Sequence, residues 1–348
     1  MNPYTLATLL FSLGLGTTTA FASSHWLLAW MGLEINTLAI LPLMAQHHHP
    51  RAVEATTKYF LTQAVAAAMI LFASFTNAWI TGQWIMQDMT QPFPTTLILV
   101  ALSLKIGLAP LHSWMPEVLQ GLDLTTGLIL STWQKLAPLA LLTQIHPSTT
   151  TLMTLLGLTS TLTGGWGGLN QTQLRKLLAY SSIAHMGWMV LIFQYSPTLA
   201  VLTLATYIIM TSSTFLVFKI NGALSINMLS ISWTKAPVLT ALAPIVLLSL
   251  AGLPPLTGFM PKWLILQELT KQGLPFLATI TALSALLSLY FYTRLSYTMA
   301  LTISPNNTPG STLWRLKLNH STLPLAGTLI MATLLLPLTP GMTTLFSP

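Results

Sequence analysis

The chain has 348 residues, 53% of them hydrophobic and only 5% charged, with a mean hydropathy of +0.70. A soluble domain carries about 25% charged residues, so this composition predicts a polytopic membrane protein. There is no cysteine, which excludes a disulfide framework, iron–sulfur ligation by Cys and a Cys nucleophile, and the net charge of +7 is spread singly over short loops, the pattern of topology signals rather than of a nucleic-acid-binding patch.

Eleven apolar segments are expected in chain order, near 3–22, 25–45, 57–80, 95–119, 124–144, 149–169, 174–195, 197–220, 237–271, 274–299 and 322–346. The N-terminal run lacks the basic start of a signal peptide and reads as the first span. The second segment holds Glu34 at its centre. The loop after it contains His47, His48 and His49 beside Arg51 and Lys58. Three successive side chains do not easily converge on one ion, so no metal site is expected there.

The fourth and ninth segments are expected to be discontinuous. KIGLAPLHSWMPEV sets Gly107, Pro110 and Pro116 around His112, and LAGLPPLTGFMPKW sets Gly252, Pro254, Pro255 and Gly258 before Lys262. Proline removes a backbone donor and clashes with the preceding turn. Backbone freed at membrane depth is tolerated only where protein buries it or a hydrated cavity receives it. The two breaks lie five segments apart, which predicts an inverted repeat, and paired interruptions of this kind point to an ion path.

A lysine near mid-membrane costs roughly 2.5–3.5 kcal/mol on the insertion scale. Glu34, Lys105, Lys135 and Lys262 all fall inside expected spans, with His112 and His185 near or within the membrane. A carboxylate beside a buried lysine tunes its proton affinity, and a histidine titrates nearest neutral pH. These six residues are the candidate proton path. The competing reading of each is static: a lone membrane lysine also snorkels or pairs, and a lone histidine is commonly a hydrogen-bonded interior residue. The other features are bland. The 11 Trp suit an interfacial belt, the Thr-rich spans suit hydroxyls bonding back to helix carbonyls, and GGWGG at 164–168 precedes no phosphate-binding helix.

The stretches HWLLAWMGLEINTLAILPLM, HHHPRAVEATTKYFLTQA, KIGLAPLHSWMPEV, QKLAPL, RKLLAYSSIAHMGWM and GLPPLTGFMPKW together cover much of the chain. In them it resembles the antiporter-like subunits of proton-pumping NADH–quinone oxidoreductase, in the shortened form of vertebrate mitochondria, eleven spans against fourteen in bacterial relatives. The resemblance implies an all-α, single antiporter-like transmembrane domain over 1–348, in the mitochondrial inner membrane, contributing one proton channel to respiratory complex I. It carries the family's membrane glutamate onto Glu34 and its broken-helix lysine onto Lys105. The central lysine falls on Lys135, the second broken-helix residue on Lys262, and the connecting histidines on His112 and His185. It implies no cofactor in this chain: NADH, FMN, iron–sulfur clusters and ubiquinone fall to other subunits. The implied partners are the other membrane-arm subunits, neighbouring antiporter-like subunits among them, and lipids such as cardiolipin, with no nucleic acid. The other readings are a stand-alone cation/proton antiporter subunit and a purely structural membrane subunit. Under the positive-inside rule the basic loops place the N-terminus on the matrix side and the C-terminus on the intermembrane-space side.

Overall fold

The computed structural model describes residues 2–46, 49–87, 89, 91–145, 150–234, 236–301 and 322–346. His47 and His48 of the expected loop lie outside them, as do Lys235, Arg315 and Lys317, three of the basic residues in the loops that set the expected topology. Among the described residues the regular secondary structure is helical, apart from two isolated β-bridges.

A helix falls in the place of each expected segment. In order these are α1 (Pro3–Ala22), α2 (Trp26–Met44), α3 (Pro50–Thr81), α4 (Pro92–Ile106) with α5 (Trp114–Gly121), α6 (Leu124–Gln144), α7 (Thr150–Gly168), α8 (Leu174–Phe193) and α9 (Pro197–Asn221). There follow α10 (Ile226–Ser230), α11 (Pro237–Ala251) with α12 (Phe259–Lys271), α13 (Pro275–Ala300), α14 (Leu323–Leu334) and α15 (Thr339–Phe346). Six of them are long and apolar enough to cross a membrane by themselves.

Local chemistry sets the ends. Pro3, Pro50, Pro92, Pro197, Pro237 and Pro275 each open a helix, where a missing N–H costs nothing and φ is already helical. This moves the start of α3 ahead of the expected 57: Pro50 opens it, and the His49 side chain accepts a hydrogen bond from the Arg51 amide at 3.3 Å. The abundant threonines bond back along their own helices, as Thr203 does to Ala200 at 2.8 Å and Thr211 to Tyr207 at 2.8 Å. One departure concerns the last segment, which bends by 67° between Leu323–Leu334 and Leu336–Thr344.

The chain divides into two compact units, Met1–Gly157 and Leu158–Pro348. In the first, α1 packs on α2 with backbones in close approach: a Cβ on Gly16 would sit 2.8 Å from the Gly32 carbonyl oxygen. Small residues at such a crossing maximise packing where no hydrophobic effect drives helices together. In the second, α11 packs on α13 and α9 on α14.

The two units repeat one local plan. In the first, His25 bridges Ile85, with Trp26 N donating to Trp84 O at 3.1 Å and Met86 N to Ser24 O at 3.1 Å. In the second, Gln173 bridges Ser225, with Leu174 N donating to Leu224 O at 3.1 Å and Ile226 N to Thr172 O at 3.1 Å. The breaks match as well. Gly107 (φ 83°, ψ 43°) ends α4, and Gly252 (φ 83°, ψ 39°) ends α11. At one constant offset Gly107, Leu108, Pro110, Leu111, Met115 and Pro116 recur as Gly252, Leu253, Pro255, Leu256, Met260 and Pro261. At that same offset Glu117 becomes Lys262, and Lys105 becomes Leu250.

Candidate functional site

In the first unit, α2, α3, α4, α5 and α6 enclose a cavity of about 20 Å³. Its polar lining is Asn36, Thr37, Tyr59, Gln63, Lys105, Gln134 and Lys135. One water needs about 10–15 Å³ by the same measure, so the space suits a single water. Lys105 reaches it from the last turn of α4, where the helix dipole favours a cation. Lys135 reaches it from the middle of α6, one turn before Pro138. Both are buried, at 6% and 2% exposure. The Gln134 side-chain amide donates to the Asn36 carbonyl at 3.5 Å, tying α6 to α2 beside the cavity.

Glu34 stands on α2 one helical turn from Thr37. Its Oε2 and the Lys105 Nζ are both buried without a hydrogen-bond partner. The ion pairs within 4.0 Å among the described residues include neither of them. Leu33, Asn36 and Thr37, the neighbours of Glu34 on α2, line the cavity that Lys105 enters. The carboxyl and amine groups therefore stand beside one cavity and out of ion-pair contact. His112 sits in the break itself, half-buried, with a hydrogen bond to the Pro110 backbone. It is not part of this cavity lining.

The second unit holds a counterpart. A cavity of about 20 Å³ is lined by His185, Trp188, Thr203, Thr206, Met210 and Lys262, among others. Lys262 is in the first turn of α12, and its Nζ donates to the Ala251 carbonyl at 2.7 Å, across the break. The lysine stem folds over Gly252, where a Cβ would lie 2.8 Å from Lys262 Cδ. The His185 ring lies 5.6 Å from the Tyr207 ring, and Tyr207 shares a hydrogen bond with Ser182. The Thr257 hydroxyl donates to the Ala332 carbonyl of α14, fixing the loop between α11 and α12.

The expected residues are thus gathered in two groups: Lys105 and Lys135 with Glu34 beside them, and His185 with Lys262. Sequence reasoning did not single out the neutral lining of Asn36, Tyr59, Gln63 and Gln134. Their signal was an amide or phenol inside an apolar run, since polar groups in membrane helices face protein or water.

Comparison with known proteins sets this geometry in a family. Residues 23–288 match the family described as NADH:quinone oxidoreductase/Mrp antiporter, TM, and residues 289–343 match the NADH dehydrogenase subunit 2 C-terminus. The chain is 70% identical to NADH-ubiquinone oxidoreductase chain 2 of the fish Tetraodon nigroviridis over 347 residues, covering 100% of both chains. It belongs to the NADH-ubiquinone oxidoreductase chain 2 family. Chain 2 of Carassius auratus is 68% identical, with 99% of each chain covered. Among solved structures, respiratory complex I from Thermus thermophilus with bound aureothin matches at TM-score 0.81 and 28% identity, over 97% of this chain and 80% of that one. The Mrp complex from Dietzia sp. DQ12-45-1b shares the fold at TM-score 0.79 and 16% identity, over 97% of this chain and 75% of that one.

Proposed function

We propose that this chain is a core membrane subunit of proton-pumping NADH:ubiquinone oxidoreductase and carries one proton-translocation path. The chain works as one antiporter-like domain over 1–348, in the mitochondrial inner membrane. Glu34, Lys105, Lys135, His112, His185 and Lys262 form the path. The observation that carries this reading is the first cavity: two buried lysines, a water-sized space, and a carboxylate nearby that makes no ion pair with Lys105 among the described residues. A purely structural pair would be closed, because an uncompensated buried charge is strongly destabilising. An open arrangement lets the proton affinity of each partner follow their separation.

The chemistry of this chain is proton transfer alone. NADH, FMN, the iron–sulfur clusters and ubiquinone belong to other subunits, so the chain is enzymatic only within the complex. Its partners are the other membrane-arm subunits and lipids such as cardiolipin. Within each of the two cavities a proton passes between side chains through a single water, since neither holds more. Replacing Lys135 by Met tests the reading in the assembled complex. A positioned proton carrier contributes on the order of 10²-fold, so pumping should fall by about that much while assembly persists. Normal pumping in that variant would return Lys135 to a structural role.

A further inference from the structure

α5 is eight residues long, far below the length at which a helix is stable on its own. What holds it is α3. A Cβ on Gly121 would lie 2.6 Å from the Arg51 carbonyl oxygen, so α5 ends flush against the first turn of α3. The rings of Tyr59 and Trp114 meet edge-on with centroids 5.8 Å apart. Between these two contacts, Lys58 Nζ donates to Glu117 Oε2 at 2.7 Å. It also pairs with Glu54 Oε1 at 2.7 Å, so one lysine serves two carboxylates. None of the three charged residues lines either water-sized cavity.

The internal repeat gives Glu117 its meaning. Its counterpart is Lys262, which ties α12 across the break to Ala251. Each short half-helix thus carries an ionisable residue in its first turns that fastens it to a neighbour. One fastens inward to the break, the other outward to α3. The consequence for the cavity runs through Trp114. Its Nε1 donates to the Leu104 carbonyl at 3.1 Å, next to Lys105 in the chain. Trp114 and Met115 also crowd Gly107, each reaching 3.3 Å from where a Cβ would stand. A shift of α5 therefore shifts the end of α4 that presents Lys105.

We propose that Lys58 and Glu117 are positioning residues whose ion pair latches α5 against α3 and so sets the geometry of Lys105. This rests on the reading of Lys105 as a proton carrier. The side chains of Lys58 and Glu117 are 40% and 54% exposed, and exposed pairs contribute little to fold stability. The loss on breaking the latch is thus expected in transport and not in assembly.

The test uses the intact complex, measuring assembled amount, quinone-reductase turnover and protons pumped per turnover. Glu117→Gln and Lys58→Met should each lower pumping roughly two- to fivefold, the population change that follows loss of an exposed pair. The double variant Lys58→Glu with Glu117→Lys again leaves one lysine among two carboxylates, Glu54 included, and should restore pumping. Failure of that exchange to restore pumping overturns the latch, and so does wild-type pumping in the assembled single variants. Where a single variant does not assemble, the exchanged pair decides alone. Lys105→Met runs alongside. Unimpaired pumping in it overturns the proton path and the latch with it, whereas impaired pumping there with normal latch variants overturns the latch only.

Discussion

Glu34 and Lys105 each keep a buried polar atom without a hydrogen-bond partner, an expensive state for a charged group in a low-dielectric setting. Such a state persists where it serves a reaction, which makes the pair the residue-scale test of transport. Glu34→Gln removes the charge and nearly keeps the shape, so the complex should assemble with pumping reduced on the order of 10²-fold. Lys105→Met should do the same. The double variant should cost less than the two losses added, by an interaction of about 0.5–3 kcal/mol, because coupled residues are not additive. Pumping measured with assembly in the three variants checks this, and normal pumping by Glu34→Gln would make Glu34 structural. These charges were legible in the sequence because a membrane makes each of them costly. Asn36, Gln63 and Gln134 were not: they carry no charge, and among so many threonines an amide does not stand out until the fold shows which face it occupies.

The broken helices were legible as elements because glycine and proline act locally. The left-handed turns at Gly107 and Gly252 end α4 and α11 in the same backbone geometry. The bend in the last segment was missed, since Pro337 stands in a largely apolar run with no charged group nearby to mark a function. The two matching glycines now separate by what surrounds them. Alanine at either adopts a left-handed conformation at a cost of roughly 1–2 kcal/mol. At Gly252 the added methyl also meets Lys262 Cδ at 2.8 Å, whereas at Gly107 the nearest atoms are at 3.3 Å. Gly252→Ala should therefore push the Lys262 amine off the Ala251 carbonyl and lower pumping, beyond the shared loss of thermal stability. Gly107→Ala should lose a similar amount of stability and less pumping. Thermal unfolding and pumping of the two variants side by side check the contrast, and equal pumping would show that the folded-back lysine does not matter.

For the whole molecule, the distribution of basic residues makes a claim about sidedness. Arg51 and Lys58 stand in the first turns of α3, Arg175 and Lys176 in the first turn of α8, Lys219 in the last turn of α9 and Arg294 towards the end of α13. If every helical segment except the five-residue α10 crosses, with α4 and α5 counted as one crossing, α11 and α12 as one, and α14 and α15 as one, all these positions fall on a single side. Lys271 at the end of α12 is the exception among the described residues. The positive-inside rule makes that side the matrix. Only six helices meet the length and hydropathy of a span by themselves, so the crossing count also rests on α6, α7, the bent α14–α15 segment and the short halves α4, α5, α11 and α12 working in pairs. A fifteen-residue helix rises about 22 Å, short of a hydrocarbon core of about 30 Å, and its partner half supplies the remainder. If either pair failed to cross, every later loop would change sides and the basic residues would scatter to both. Labelling or protease protection in oriented inner-membrane vesicles should therefore find the loop before Arg175 and the loop after Lys219 both on the matrix side. Finding either one on the opposite side would overturn the crossing count through α9 and, with it, the paired crossing of α4 and α5 that sets the membrane depth of Lys105.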